Sequence, residues 1–321
     1  MLRLVRGSFP ASDADAIAWS AVEGTVDTQA LAAHGRLDAV VHLAGEGIAN
    51  RRWTTAQKAR LRDSRVIGTR GLPGPVAELP EPPGVLVSAS AIGWYGDRGA
   101  EWVDETDEPG EMFLSDVCRD WEAATTPARE AGIRVVNHRI GVVLSANGGA
   151  LTKMLLPFKL GLGGRVGSGD QYWSWITLDD LVASIRHVID TETISGPVNA
   201  VAPAPSTNLE FTKSLGKALR RPTIFPMPAF VAPGLCWARW PTNCFGGCTD
   251  PGERARTDRF SVDSSRIGRG AGRRALVAGV EPATRSHHFT IRLKYFRSTA
   301  DWSSKSTLVR LRKLDPPLYS L

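Results

Sequence analysis

Short apolar runs that alternate with helix-length amphipathic segments constrain the fold of this chain more than any other feature. Runs rich in Val, Leu and Ile occupy residues 38–44 and 84–88, and a third extends from 133 to 143. Because such near-continuous apolar content is typical of strands that are buried on both faces, the runs indicate a parallel sheet. We therefore predict an α/β fold with a doubly wound parallel sheet and helices on both of its faces.

Segments with helical spacing separate and follow these strands. They are residues 54–70, 111–131, a segment that begins after Thr177, and 208–219. Within the second segment, Phe113, Val117 and Trp121 recur four residues apart and would lie on one helix face. Thr177 is expected to cap the third helix, because acidic residues follow it in the first turn. Gly and Pro in residues 71–83 predict that the first helix ends early.

The alternating pattern stops after Ala232, and the charge balance changes there as well. From residue 233 onward there are 16 Lys and Arg against 7 Asp and Glu, a surplus of nine. Since the net charge of the whole chain is +6, residues 1–232 carry −3. The tail's charges are scattered among Ser, Thr, Gly and Pro without a helical face, which favours an irregular, disordered tail over a nucleic-acid-binding surface. We therefore divide the chain into residues 1–232 and 233–321.

Several classes of protein and site do not fit this composition. No apolar run is as long as a membrane span, and the first residues lack the pattern of a signal peptide. The four cysteines, Cys118, Cys236, Cys244 and Cys248, lack the spacing of a disulfide framework. We expect a cytoplasmic protein with reduced thiols, and no membrane or nucleic-acid partner. We also expect no metal site, because Cys244 and Cys248 supply two ligands where zinc takes four.

The segment VVHLAGEGIANRRW, residues 40–53, is the most informative motif. A buried strand runs into Ala44 and Gly45, whose small size lets a ligand approach the backbone at the carboxyl end of the strand. In open α/β sheets, ligands bind at that end. Glu46, Arg51 and Arg52 then place charged groups near the same rim. Taken by itself, the segment is more often just a tight turn that binds no ligand.

A second strand, in VLVSASAIGWYGDRG (residues 85–99), ends in two hydroxyls and is followed by a tyrosine. A hydroxyl at this place can hydrogen-bond a substrate carbonyl or orient a phenol that acts as acid or base. Ser90 and Tyr95 are therefore the candidate catalytic residues. The alternative is structural: Ser90 caps the turn and Tyr95 packs as part of a wall.

Together these motifs resemble a known family. VVHLAGE, SRV.GTR, SASAIGWYGDRG, CRDWE, SWI..DDL and GPVN.VAP.P.TN.EFT occur in this order within residues 1–232. The chain resembles the sugar-nucleotide-epimerase-like (YfcH-type) family of extended short-chain dehydrogenases, among the NAD(P)-dependent epimerases and dehydratases. The resemblance implies a Rossmann-like sheet that binds NADP or NAD and a small-molecule substrate. It implies nothing about the oligomeric state.

The resemblance also implies what this chain lacks. Family members begin with a strand and a GxxGxxG loop that holds the cofactor pyrophosphate at a helix N-terminus. This chain opens instead with LRLVRG, which resembles the second strand of the family. We therefore expect a chain truncated at its N-terminus, with a sheet that lacks its first strand and Gly-rich loop.

Cofactor-binding positions follow from the same resemblance. Arg6 would meet the adenosine 2′-phosphate and so favour NADP. Ala44, Gly45 and Glu46 would border the adenine-ribose and the pyrophosphate, with Arg51 nearby. Ser88, Ser90 and Val142 would lie beside the nicotinamide.

The catalytic pair of the family is not found. Extended short-chain dehydrogenases use a Tyr and a Lys four residues later, the Lys lowering the pKa of the phenol. When Glu122 is aligned with the Glu that follows this pair, Leu114 and Cys118 stand at its two positions. The expected function is an NAD(P)-binding epimerase or oxidoreductase-like protein acting on a nucleotide-sugar-like or small carbonyl substrate. The alternative is a non-catalytic or non-functional remnant of that family.

The tail carries a separate hypothesis. The family continues with a helix of the type RALLGEMADELLL, whereas this chain has PGLCWARWPTNCF from residue 233. Back-translated codons that start at the third nucleotide of Pro233 permit RALLGAMADELL. We therefore hypothesise a frameshift between Ala232 and Pro233, so that residues 233–321 are out of frame. Resequencing that finds no displaced nucleotide there removes this hypothesis.

Overall fold

The computed structural model describes residues 2–6, 13–21, 23–48, 51–146 and 148–226, and the backbone of three short strands in the tail. The strands are β1 Arg3–Val5, β2 Ala16–Ser20, β3 Thr25–Val26, β4 Ala39–His42, β5 Val85–Ala91, β6 Trp102–Val103, β7 Arg134–Ile140, β8 Val142–Ser145, β9 Tyr172–Trp173, β10 Trp175–Thr177, β11 Gly196–Ala200, β12 Ser206–Thr207, β13 Cys248–Thr249, β14 Leu276–Val280 and β15 Ile291–Tyr295. The helices are α1 Thr28–Ala33, α2 Thr55–Arg70, α3 Pro73–Ala77, α4 Phe113–Ala123, α5 Thr126–Glu130, α6 Gly149–Lys159, α7 Leu178–Asp190 and α8 Asn208–Leu219, with a 3-10 helix at Ile92–Tyr95.

Four parallel strands in the order β11-β7-β5-β4 form the main sheet. Their Val and Ala side chains are buried on both faces. Helix α7 covers one face, where Val188 packs against Val41, Val87 and Val136. Helices α1, α3 and α5 contribute to the core on the other face. The structure therefore confirms the predicted α/β fold with helices on both sides of a parallel sheet.

A second sheet, β1-β2-β3, lies beside the first and contains the parallel pair β1 and β2. Leu4 of β1 and Ile17 of β2 share one hydrophobic core with Val40 of β4 and Leu86 of β5. Within the described part of the chain, β1 pairs only with β2 and β4 only with β5. The two sheets thus share a core, but no described strand joins the free edge of β1 to that of β4.

Most of the predicted elements are confirmed with small shifts at their ends. Strands β4 and β5 and helices α2, α7 and α8 lie where the apolar patterns predicted them. The third predicted strand, residues 133–143, is divided at Gly141 into β7 of the main sheet and β8, which pairs with β10. The Thr177 hydroxyl accepts a hydrogen bond from the Asp180 amide at 3.1 Å, which confirms the predicted N-cap of α7. Helix α2 ends at Arg70, before the stretch of Gly and Pro, as predicted. Within that stretch, Pro73 begins the short helix α3, because proline is tolerated in the first turn of a helix.

The prediction of one continuous helix over residues 111–131 is wrong. The structure contains α4 and α5 with a break at residues 124–125. Pro127 has no amide proton to donate and therefore occurs in the first turn of the second helix. The Thr125 hydroxyl donates to the Glu122 carbonyl at 2.6 Å and satisfies the end of α4.

The predictions for residues 233–321, including the frameshift and the reduced state of Cys236, Cys244 and Cys248, lie outside the described residues except for the backbone of β13–β15. Among the residues that are described, no helix combines the length and apolar character that a membrane span requires.

Candidate functional site

A cavity of about 520 Å³ opens where the carboxyl ends of β4, β5 and β7 meet. This volume is in the range of small-molecule sites, and the position is where open α/β sheets bind ligands. The walls come from the loop after β4, the ends of β5 and β7, and helices α2, α4, α6 and α7. The apolar wall residues include Leu43, Ile48, Leu114, Val117, Trp121 and Val142.

The charged wall residues are all cations. Arg65 of α2 and Lys153 of α6 line the cavity, and the described part of its wall includes no Asp or Glu. Arg65 donates from Nη1 to the carbonyls of Glu46 and Leu61, each at 3.0 Å, and its guanidinium lies 5.1 Å from the centre of the Trp121 ring. Among the described residues it forms no ion pair with a carboxylate.

Burial lowers the pKa of Arg65. An arginine nevertheless stays charged at every physiological pH. The charges of Arg65 and Lys153 therefore favour an anionic ligand over a cationic one, because charges of one sign in a partly buried cleft concentrate ions of the opposite sign.

The small residues predicted after the first strand lie beside the cavity. Ala44, Gly45 and Glu46 fall between Leu43 and Gly47, which are both wall residues. A Cβ atom at Gly45 would lie 3.3 Å from the Arg65 guanidinium carbon, so a larger residue there would push that side chain slightly away from the backbone. The Glu46 amide donates to a serine hydroxyl of α2 at 3.0 Å, which fixes the loop on the helix.

The other predicted cofactor residues differ in their positions. Val142 lines the cavity. Ser88 is the register partner of His42 on the neighbouring strand and is buried, but it is not a wall residue. Arg6 and Arg51 are exposed and do not line the cavity either. Their predicted contacts with the cofactor stay predictions.

Ser90 lines the cavity, and its hydroxyl belongs to a buried polar network. It donates to Glu122 Oε1 at 2.7 Å. The Glu122 carboxylate also accepts two hydrogen bonds from Arg139, from Nε at 2.9 Å and from Nη2 at 3.1 Å. Burial alone would lower the pKa of Arg139, but the hydrogen bonds and the charge of Glu122 raise it above its usual value. The ion pair is therefore fully formed beneath the cavity floor.

Tyr95 belongs to the same network but is not a wall residue. Its hydroxyl donates to Asn199 Oδ1 at 2.7 Å and accepts from Arg139 Nη1 at 3.0 Å. The side chain is completely buried, and this burial raises the pKa of Tyr95 to about 12. The phenol is thus neutral and faces Asn199 and Arg139. This arrangement fits the alternative in which Tyr95 has a packing role and no catalytic one. A catalytic role for Tyr95 stays a prediction.

Leu114 and Cys118, which align with the catalytic pair of the family, both line the cavity. The Cys118 thiol lies 3.6 Å from the carbonyl of Ala91, and burial raises its pKa to about 12. A thiol with that pKa stays protonated near neutral pH and is a poor nucleophile. Neither side chain can therefore perform the proton chemistry of a Tyr and Lys pair.

Sequence reasoning missed three wall residues, Arg65, Trp121 and Lys153, as ligand-binding candidates. Arg65 was present in the motif SRV.GTR, and Trp121 had been assigned to the apolar face of a helix. Their orientation toward a cavity depends on how α2 and α4 pack on the sheet. That packing brings together residues more than 50 positions apart, which a local pattern does not reveal.

Comparisons with known proteins find a matching family and similar solved structures. The model of the NAD dependent epimerase/dehydratase family matches residues 10–200. Epimerase family protein Mb2239 of Mycobacterium bovis is 46% identical over 231 residues, which cover 71% of this chain and 74% of that protein.

Two solved structures are similar over most of the chain. Human epimerase family protein SDR39U1 (isoform 2), solved with NADPH, has a TM-score of 0.68 and 32% identity over 81% of this chain and 85% of the human chain. The nucleoside-diphosphate sugar epimerase of Corynebacterium glutamicum has a TM-score of 0.59 and 36% identity over 76% of this chain and 46% of that one.

Proposed function

The chain belongs to the NAD dependent epimerase/dehydratase family, and we propose that it binds NADP(H) at the cavity and acts on a nucleotide-sugar-like or small carbonyl substrate. The observation that carries this proposal is a largely apolar cavity at the carboxyl ends of three parallel strands whose charged wall residues, Arg65 and Lys153, are both cations. The human relative solved with NADPH supports the choice of cofactor.

The residues present fit a dinucleotide in two respects. An anionic, partly aromatic ligand matches a cavity with cationic side chains and apolar walls. The indole N–H of Trp121, a wall residue, is buried and has no hydrogen-bond partner among the described residues. Buried donors without a partner are rare in folded proteins, and an acceptor oxygen of a bound ligand would satisfy this one.

Two groups of residues would hold the cofactor. Arg65, with the amides of the loop that contains Gly45 and Glu46, would hold the phosphate groups. Val142, with the end of β5 at Ser90, would border the nicotinamide. Arg6 at the end of β1 would discriminate NADP from NAD by pairing with the 2′-phosphate.

When bound, the nicotinamide supplies hydride transfer. The residues of this chain contribute binding and the exclusion of water, because Leu114, Val117 and Val142 form apolar walls around the reacting region. Ser90 is the hydroxyl that would contact the substrate.

A second candidate function is cofactor binding without catalysis. Leu114 and Cys118 at the positions of the family's Tyr and Lys favour it, because neither can transfer a proton to a sugar oxygen.

Two measurements test these functions in order. NADPH is titrated into the purified chain while tryptophan fluorescence is followed, and a saturable change is expected because Trp121 lies in the cavity wall. NADPH oxidation and NADP⁺ reduction are then assayed across nucleotide sugars and small carbonyl compounds. Turnover of any of them supports the enzyme, whereas saturable binding without turnover supports the non-catalytic candidate. The absence of binding contradicts both.

A further inference from the structure

We propose that Glu122 is a positioning residue that makes the Ser90 hydroxyl an obligatory hydrogen-bond acceptor toward the cavity. The ligand group at this point would then be a donor, so the cavity would select a secondary alcohol over the corresponding ketone. The inference deepens the proposed function, on which it rests for the presence of a ligand in the cavity.

The argument starts from the single proton of a serine hydroxyl. A hydroxyl has one proton to donate and two lone pairs that accept. The Cys118 thiol is a second hydrogen-bond partner within reach of Ser90, but an ionised carboxylate is the stronger acceptor, so the proton of Ser90 points to Glu122 Oε1 at 2.7 Å. Both oxygens of Glu122 are paired with Arg139, so the carboxylate is ionised and can only accept. The donor capacity of Ser90 is therefore used inside the protein.

The ion pair cannot easily turn away from Ser90. The side chains of Arg139 and Glu122 are only 2% and 9% exposed. Arg139 also donates to the Tyr95 hydroxyl at 3.0 Å, and its guanidinium lies 3.9 Å from the centre of the Trp94 ring. These contacts hold the guanidinium from several sides, and the guanidinium in turn holds the carboxylate against Ser90.

The remaining polar side chains of the wall are donors. Arg65 and Lys153 are cations, Trp121 offers an indole N–H, and the Cys118 thiol donates to the Ala91 carbonyl. Ser90 carries the only side-chain oxygen among the described wall residues. A ketone oxygen placed there would face lone pairs, whereas an alcohol would donate its proton to them. A sugar hydroxyl is a group of the favoured kind.

Two probes of similar shape test this directly, cyclohexanol and cyclohexanone. Their dissociation constants are measured by ligand-observed NMR on the full chain without cofactor, and the ratio of the two constants is compared between variants. Loss of one hydrogen bond corresponds to about a fivefold change. Ser90→Ala should therefore reduce the preference for cyclohexanol about fivefold relative to the unmodified chain.

Ser115→Ala is the matched control. The Ser115 hydroxyl is equally buried and donates to the Gly93 carbonyl at 2.9 Å, but it does not line the cavity. This variant should keep the ratio of the unmodified chain. Glu122→Gln should shift the ratio toward cyclohexanone, because a neutral amide oxygen is a weaker acceptor than a carboxylate and holds the serine proton less firmly.

The outcomes separate this proposal from the proposed function. An unchanged ratio in Ser90→Ala, or failure of both probes to bind, overturns the proposal even if NADPH binds. A changed ratio without NADPH binding supports the donor selectivity and contradicts the cofactor assignment. If Glu122→Gln does not fold, the comparison of Ser90→Ala with Ser115→Ala still decides.

Discussion

At the scale of single residues, the polar groups beneath the cavity matter most, because each has a partner that is far away in sequence. Tyr95 and Asn199 are 104 positions apart, and Ser90 and Glu122 are 32 apart. Buried polar groups with satisfied partners rigidify a core, but they cost free energy as soon as one partner is removed. This network is therefore expected to set the shape of the cavity floor.

Tyr95→Phe tests the structural role of the phenol. The change removes a hydroxyl that donates to Asn199 and accepts from Arg139, so two hydrogen bonds in a buried site are lost. We expect a loss of about 1–3 kcal/mol in the free energy of unfolding, measured with urea. Tyr172→Phe, at a partly exposed tyrosine, should change stability by less than about 0.5 kcal/mol. Equal stability of the two variants would contradict this role for Tyr95.

Arg139→Met tests the buried ion pair. Removal of one partner leaves the Glu122 carboxylate buried and unpaired, so we expect a loss of about 3–5 kcal/mol in urea unfolding. The double variant Glu122→Leu, Arg139→Met should recover part of this loss, since no buried charge is left unpaired, while the Ser90 hydroxyl still loses its acceptor. The exposed pair of Arg119 and Asp116 is the comparison, and Arg119→Ala should cost at most about 1 kcal/mol.

Two buried histidines predict how stability depends on pH. Burial lowers the pKa of His42 and of His138 from 6.5 to about 4. Between these values the unfolded chain binds protons that the folded chain does not. Stability is therefore full above about pH 6.5 and falls as the pH decreases toward 4, by a few kcal/mol for each imidazole as an order of magnitude.

Chemical denaturation at several pH values measures this slope. In His138→Gln, proton uptake on unfolding between pH 6.5 and 4.5 should decrease by up to about one proton. A variant with the slope of the unmodified chain would contradict the assignment of a neutral, buried imidazole to His138.

At the scale of elements, sequence patterns correctly predicted helices and strands where neighbouring residues determine the structure. Helix α8 begins after Thr207, whose hydroxyl accepts from the Glu210 amide at 3.2 Å while the Glu210 carboxylate accepts from the Thr207 amide at 2.8 Å. This reciprocal arrangement is encoded within four residues, and α8 has the predicted ends. The break between α4 and α5 was missed because the apolar spacing continues through it.

Thr207→Ala tests the contribution of this capping box. Loss of the side-chain acceptor should lower the free energy of unfolding by about 1 kcal/mol. Thr193→Ala, at an exposed threonine outside any helix, is the control and should be near neutral. The two variants are compared by urea unfolding, and an equal effect would show that the cap does not stabilise α8.

The candidate site was only partly predictable, because local patterns do not show how residues that are distant in sequence pack together. Ser90 lies near the end of β5, a strand that the apolar pattern located, and it lines the cavity. Val142, at the start of β8, also lines the cavity, and the family resemblance implied that position. Arg65 lies on a helix, where one guanidinium among several gives no local signal. The partners of Tyr95 depend on the order of strands in the sheet, which a sequence pattern does not determine.

At the scale of the whole molecule, a parallel four-stranded sheet and a mixed three-stranded sheet share one core, and the cavity lies at the carboxyl edge of the larger sheet. The central claim is that this cavity binds the anionic NADP(H). Its cations lie on two separate helices, Arg65 on α2 and Lys153 on α6. A cation in the wall should therefore contribute to affinity, whereas a cation elsewhere on the same helix should not.

The dissociation constant of NADPH for Arg65→Gln, compared with Arg60→Gln, tests this claim most directly. Both arginines belong to α2, but Arg60 is exposed and does not line the cavity. We predict that Arg65→Gln weakens NADPH binding at least about tenfold, because a charged hydrogen bond to phosphate is lost. Arg60→Gln should keep the affinity of the unmodified chain. Equal affinities of the two variants, or no saturable binding to the unmodified chain, would contradict the account.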